Sequence, residues 1–227
     1  MTDQDRKPQL SIQIIPVTAF QQNCSLMWHN ETKDAVFIDP GGDVDKLKAA
    51  ADQFNVKVNE IWLTHGHLDH AGGASELAEH YGCKIIGPHR DDKWLLEGLA
   101  AQGAQYGLQG VRDCAPDQWL EEGDTVSLCG ETFQVFETPG HTPGHVIFYH
   151  EAGRFAFVGD VLFAGSVGRT DFPRSSHHDL IDSIVTKLWP LGNDVRFIPG
   201  HNQMSTFGQE RATNMFVADS VLGAQAQ

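Results

Sequence analysis

Residues Ile61-Trp62-Leu63-Thr64-His65-Gly66-His67-Leu68-Asp69-His70 pass from an apolar strand, expected over 61–64, into a loop rich in metal-binding side chains. In extended backbone, residues i and i+2 project from the same face, so His65 and His67 present their imidazoles together as the strand ends. Gly66 between them lets the chain turn. Asp69 and His70 stand at the mouth of a helix expected from about residue 71 to 80, where they offer a carboxylate oxygen and an imidazole nitrogen to a second ion. Neutral imidazoles and a carboxylate crowded into one loop need polar partners once buried, and cations satisfy all of them together.

Upstream, residues 10–17, 24–28 and 35–38 read as strands, the last ending in the turn Asp39-Pro40-Gly41-Gly42. Residues 44–54 carry Val44, Leu47, Ala50, Ala51 and Phe54 at helical spacing. A strand is expected at 84–87 after the helix that follows the histidine loop. Residues 88–123 are rich in glycine, glutamine and charge, with a helical stretch only at 93–101, and read as an inserted excursion or lid. Strands follow at 125–129, 132–137, 146–150 and 154–158, then a helix near 179–188 and a strand at 195–198. These materials suit two β-sheets packed face to face with helices outside.

Three of the later strands each end in a further candidate ligand. His141 lies in Thr138-Pro139-Gly140-His141-Thr142-Pro143-Gly144-His145, where two Pro-Gly turns fix the backbone. Asp160 ends the apolar run Phe155-Ala156-Phe157-Val158-Gly159-Asp160, and His201 ends Phe197-Ile198-Pro199-Gly200-His201. With the first motif they complete two sites.

Acidic residues outnumber basic ones by 30 to 16, a formal charge of −14, and no basic stripe interrupts that field, which argues against a nucleic-acid substrate. No segment approaches the ~18 consecutive apolar residues of a membrane span. Residues 1–9 form a polar leader without the apolar stretch of a signal peptide, so a soluble cytoplasmic protein is expected. Cys24, Cys83, Cys114 and Cys129 lack C-x-x-C spacing and read as small apolar residues of a reducing compartment.

The H-x-H-x-D-H motif with its later His, Asp and His resembles the metallo-β-lactamase superfamily, with matching landmarks from about Ile14 to His201. Asp39-Pro40-Gly41-Gly42, Thr64 to His70 and Pro139 to His145 are similar to the glyoxalase II (hydroxyacylglutathione hydrolase) branch. Gly168-Arg169-Thr170-Asp171-Phe172-Pro173 and the segment ending in His201 resemble its short bacterial form. The resemblance implies an α/β fold, an αββα sandwich of two mixed sheets. It places His65, His67 and His141 on one ion, Asp69, His70 and His201 on a second, and Asp160 between them. Two divalent ions are implied, zinc first, with iron or manganese as alternatives. It also implies one domain over 10–227 without the C-terminal helical domain of the longer branch, and His145 as a supporting residue.

The implied reaction is cleavage of a thioester, S-lactoylglutathione or a related hydroxyacylglutathione, through a hydroxide shared by the ions and oriented by Asp69 and Asp160. Arg169, Arg174 and Arg211 are candidate partners for substrate carboxylates, and Phe172 for the pocket wall. The remaining histidines, His29, His80, His89, His150, His177 and His178, are expected at the surface. One rival is a persulfide dioxygenase of the same fold, in which His65, His141 and Asp160 hold a single iron; the other is a metal-stabilised scaffold without turnover. Antibiotic hydrolysis is disfavoured because Asp160 stands where that branch commonly has cysteine.

Overall fold

The computed structural model describes residues 9–225; residues 1–8 of the expected leader lie outside the described residues. The first sheet holds β1 (Leu10–Val17), β2 (Gln22–His29), β3 (Asp34–Ile38), β4 (Lys57–Trp62) and β5 (Lys84–Ile86), in that order. Its first three strands pair antiparallel, whereas β3, β4 and β5 run parallel because helices cross between them. Those helices are α1 (Val44–Phe54), α2 (Leu68–Ala71) and α3 (Ala74–Tyr81).

After α4 (Lys93–Leu96) and α5 (Leu99–Gln105) come β6 (Thr125–Leu128), β7 (Glu131–Glu137), β8 (Val146–His150) and β9 (Phe155–Gly159). A small hairpin, β10 (Leu162–Phe163) and β11 (Ser166–Val167), precedes α6 (His177–Ser183). The chain continues through β12 (Arg196–Pro199), β13 (Ser205–Thr206), α7 (Phe207–Thr213) and α8 (Asp219–Gln225). The second sheet has the order β13-β12-β9-β8-β7-β6, and β12 pairs parallel with β9.

Alternation along the strands builds four layers. In β3, Val36 and Ile38 face the second sheet, while Ala35 and Phe37 face Leu47, Ala51 and Leu77 of α1 and α3. In β9, Phe157 joins the same inter-sheet core, while Ala156 and Val158 pack with Leu180 of α6 and Phe207 of α7. Trp62 is fully buried between the sheets, with Phe133 and Phe148 at ring-centroid distances of 5.3 and 5.5 Å, and its Nε1–H donates to Glu60. Full burial of each such side chain contributes about 1.5–3 kcal/mol.

Several boundaries differ from expectation. The strand expected over 61–64 runs from Lys57 to Trp62, because its polar first half is held in parallel register by β3. The helix expected over 71–80 is broken at Gly72-Gly73: side chains there would meet the backbone oxygens of Gly41 and Pro40 at 2.8 and 2.7 Å. The helix expected over 93–101 divides at Gly98 into α4 and α5, and the one expected near 179–188 starts at His177 and passes into a wider π turn at Ile184–Leu188. Cys24 and Cys114 are buried and Cys83 half-buried, while Cys129 is exposed; all four are free thiols.

Candidate metal centre

The candidate ligands leave the sheets at one edge of the sandwich. His65 follows β4, His141 follows β7, Asp160 follows β9 and His201 follows β12. The Asp39-Pro40-Gly41-Gly42 turn passes beneath them: a Cβ on Gly41 would fall 1.4 Å from the Asp69 carbonyl oxygen, so only glycine permits that approach.

One group gathers three imidazoles. His65 Nε2 and His141 Nε2 lie 3.1 and 2.9 Å from His67 Nδ1, near the roughly 3.3 Å edge of a tetrahedron with metal–nitrogen bonds of about 2.0–2.1 Å. The partners on the far sides of the rings set the tautomers. His141 Nδ1–H donates to the Arg169 carbonyl at 2.8 Å. Thr64 spends its hydroxyl proton on Asp39, so its oxygen accepts from His65 Nδ1–H at 3.0 Å. Both Nε2 atoms therefore carry bare lone pairs. Burial, with the neighbouring His141, pushes His67 down to about 3, and burial pushes His65 well below the ordinary histidine range. These rings refuse protons and offer lone pairs.

The second group is anionic. Donor atoms of Asp69, His70 and His201 all lie within 4.8 Å of one another. His201 Nε2 stands 3.1 Å from Asp69 Oδ2, and His70 Nδ1 stands 2.9 Å from Asp39, which aims His70 Nε2 into the site. Asp160 spans both groups: Oδ1 is 3.2 Å from His70 Nε2, and Oδ2 is 3.5 Å from His141 and 3.7 Å from His201. Burial alone would raise the Asp160 carboxyl, but the positive charge of nearby His70 more than offsets it and holds the group well below the carboxylate range. His70 is driven the other way: burial opposes its charge, but Asp160 and Asp69 raise it well above the usual value. This half of the site demands positive charge. His70 Nε2 and Asp160 Oδ1 are buried yet, despite their proximity, make no well-formed hydrogen bond. Convergent bare imidazoles beside unsatisfied carboxylate oxygen form a donor set that fits two divalent cations.

Two supports escaped the sequence reading. Asp39 accepts from Thr64 N–H at 2.7 Å and Thr64 Oγ1 at 2.6 Å as well as from His70. Asp92, inside the 88–123 segment expected to be an inserted excursion or lid, is fully buried and accepts from Gly66 N–H at 2.9 Å, Thr142 Oγ1 at 2.7 Å and Gly144 N–H at 2.7 Å. It ties the loop bearing His65 and His67 to the loop bearing His141. Burial raises its carboxyl, and the three donors offset that only in part. His145 stacks on His65 at 4.7 Å and accepts the Asp160 backbone N–H at 3.1 Å, a supporting place behind the centre.

The centre opens into a cleft of about 350 Å³ lined by Phe20, Leu68, Gln102, Tyr106, Phe163, Arg169 and Phe172 besides five of the candidate ligands, His67, Asp69, His141, Asp160 and His201. Of the four candidate substrate contacts, Arg169 and Phe172 line this cleft, whereas Arg174 and Arg211 do not. Arg174 reaches the Asp91 carbonyl and lies 5.8 Å from the Trp94 ring. Arg211 is held by Asp219 and Asn193 beside Trp189. His29 and His150, expected at the surface, are buried; His150 pairs with Glu131 at 2.8 Å across the sheet.

Known proteins resemble this chain to differing extents. Hydroxyacylglutathione hydrolase GloC of Haemophilus influenzae is 46% identical over 209 residues, 92% of this chain and 98% of that protein. The crystal structure of BLEG-1 B3 metallo-beta-lactamase superposes with a TM-score of 0.84 at 32% identity, covering 91% of this chain and 99% of that one. The structure of TTHA1623 in a di-iron-bound form gives a TM-score of 0.80 at 36% identity over 90% of this chain and all of that one. The sequence model of the metallo-beta-lactamase superfamily matches residues 17–201, and with the two mixed sheets and the His/Asp edge this establishes that the chain belongs to that superfamily.

Proposed function

We propose that this protein is a cytoplasmic, binuclear metal-dependent hydrolase that cleaves a thioester, S-lactoylglutathione or a related hydroxyacylglutathione. The observation that carries this reading is the convergence of His65, His67, Asp69, His70, His141, Asp160 and His201 on one edge, in a chain 46% identical to a hydroxyacylglutathione hydrolase. A pair of ions is favoured over one because Asp160 reaches both groups and because a relative 36% identical holds two irons. Zinc suits the imidazole and carboxylate donors, as do iron and manganese. The site takes residues from both halves of the chain, which supports residues 10–227 acting as one domain. No described helix is long and apolar enough to cross a membrane, and the charge of −14 favours a small molecule over a polyanionic partner.

A divalent pair in this site would supply a water whose pKa falls from ~16 to about 7 and an electrophile for the substrate carbonyl. The chain's own residues do the rest. Asp69 and Asp160 accept the attacking water's hydrogen bonds and turn its lone pair toward the acyl carbon. Asp39 and Thr64, through His70 and His65, hold the imidazoles still. The water oxygen bonds to the acyl carbon, the C–S bond breaks and sulfur leaves as thiolate; of the water's two protons one remains on the new carboxyl and the other passes to the thiolate, yielding a hydroxy acid and a thiol. A thiol of pKa about 8.5 leaves without a dedicated general acid.

The test is a panel on the metal-loaded protein: S-lactoylglutathione with thiol release followed, glutathione persulfide with oxygen uptake followed, and a β-lactam because of the 32% likeness to a B3 enzyme. The expected result is thioester cleavage at kcat/KM of at least about 10⁴ M⁻¹s⁻¹ without oxygen uptake. Oxygen uptake or β-lactam opening without thioester cleavage overturns the proposal.

A further inference from the structure

The walls of the cleft bear on which half of a substrate is recognised. Phe20 comes from the turn between β1 and β2, Tyr106 from the end of α5, and their rings meet edge to face at 5.6 Å. Both are exposed, 38% and 64%, so two large rings stand in water at the mouth of the cleft. Phe172 packs 4.9 Å from His67 and 5.6 Å from His141, which brings an aromatic wall against the imidazoles where the acyl carbon must sit. Aromatic rims of this kind gain most from an apolar or aromatic group that buries them.

Charge recognition is sparse by contrast. Arg169 is the one Lys or Arg among the described residues lining the cleft. Its Nε and Nη2 both donate to Asp171, at 3.0 and 2.8 Å, and its guanidinium lies 4.7 Å from the Phe172 ring. The pair presents no net charge, and the fork that would clamp a carboxylate is already occupied. A thiol carrier with two carboxylates, such as glutathione, therefore finds no dedicated counterion here.

From these observations, and resting on the thioester reading above, we infer that the site selects its substrate by the acyl group through the Phe20–Tyr106 rim and discriminates weakly between thiol carriers. The favoured substrates are thioesters of 2-hydroxy acids with a bulky apolar or aromatic side chain, on charged and uncharged thiols alike. Phe20 and Tyr106 are specificity-determining residues of that site.

The experiment crosses two acyl groups, lactoyl and mandeloyl, with two thiols, glutathione and the uncharged N-acetylcysteamine, on the metal-loaded wild type, Phe20→Ala and Tyr106→Ala. Removing apolar contacts from a pocket shifts selectivity on the order of 10-fold or more. The mandeloyl-to-lactoyl ratio of kcat/KM is expected to fall about tenfold in each variant, and the two thiols are expected to stay within about tenfold of each other in the wild type. An unchanged ratio, or a preference for glutathione above about 100-fold, overturns the inference. Non-hydrolysable thioether analogues, read by calorimetric binding, separate this from the hydrolase reading. If no thioester is cleaved but the phenyl analogue's advantage over the methyl one falls in the variants, the rim stands and the hydrolase reading fails. Cleavage of every thioester with no acyl preference leaves the hydrolase and removes the rim.

Discussion

Asp160→Asn is expected to lower thioester hydrolysis by on the order of 10³, comparable to the loss of a preorganised charge-stabilising group at other hydrolytic centres. The amide has nearly the carboxylate's shape, so the fold has no reason to change; the Asp160 backbone N–H keeps its bond to His145. What is lost is the negative charge shared between the two groups, one oxygen near His70 and the other between His141 and His201. Metal content is expected to fall from two toward one per chain. Rates within about tenfold of the wild type with two metals retained would show that Asp160 does not bridge.

Asp92→Ala is expected to be the most destabilising change in the supporting network. It strands the Gly66 N–H, the Gly144 N–H and the Thr142 hydroxyl in a buried place, and each unsatisfied donor costs about 1–3 kcal/mol. Local relaxation and water entry recover part of that, so a net loss of about 3–5 kcal/mol is expected, the range for breaking a buried charged interaction from one side. Water entry is confined because neighbours are close: a Cβ on Gly144 would lie 2.5 Å from the Asp92 backbone nitrogen. Metal affinity at the three-histidine group is expected to drop about 10–100-fold, since the two loops lose their common tie. Denaturant midpoints and a metal-buffer titration check both effects; a stability change below about 1 kcal/mol would show that the loops hold their spacing without Asp92.

Why Asp92 escaped the sequence reading is instructive. It is one acid in a polar segment, and its partners lie 26, 50 and 52 residues away. The candidate ligands stood out because four of them crowd into one H-x-H-x-D-H run after an apolar strand and the other three follow later apolar strands or a Pro-Gly turn, signals that are local in the chain. The longer strands were legible for the same reason, whereas the two-residue β10, β11 and β13 were not; α1 matched to the residue because its apolar stripe and the following Asn55, in left-handed conformation, are both local. The break between α2 and α3 carried a Gly-Gly signal, but its cause is the Asp39–Gly42 turn packed against it. Helix α7 carried a readable cap, Thr206 accepting from Gln209 N–H, in a stretch with little apolar periodicity. His150 read as a surface residue because nothing near it in sequence announces Glu131 across the sheet. The cleft walls were half legible: Phe172 and Arg169 lie beside a recognisable motif, whereas Phe20 and Tyr106 meet only in the fold.

The direct measurement is the number of metal ions bound per chain when the metal-free protein is titrated with zinc and excess ion is removed. Two ions per chain, with thioesterase activity rising as they load, is the predicted result, because the lone pairs of His65, His67 and His141 and the donors of Asp69, His70 and His201 form two groups joined by Asp160. Saturation at a single ion with full activity would contradict the binuclear account.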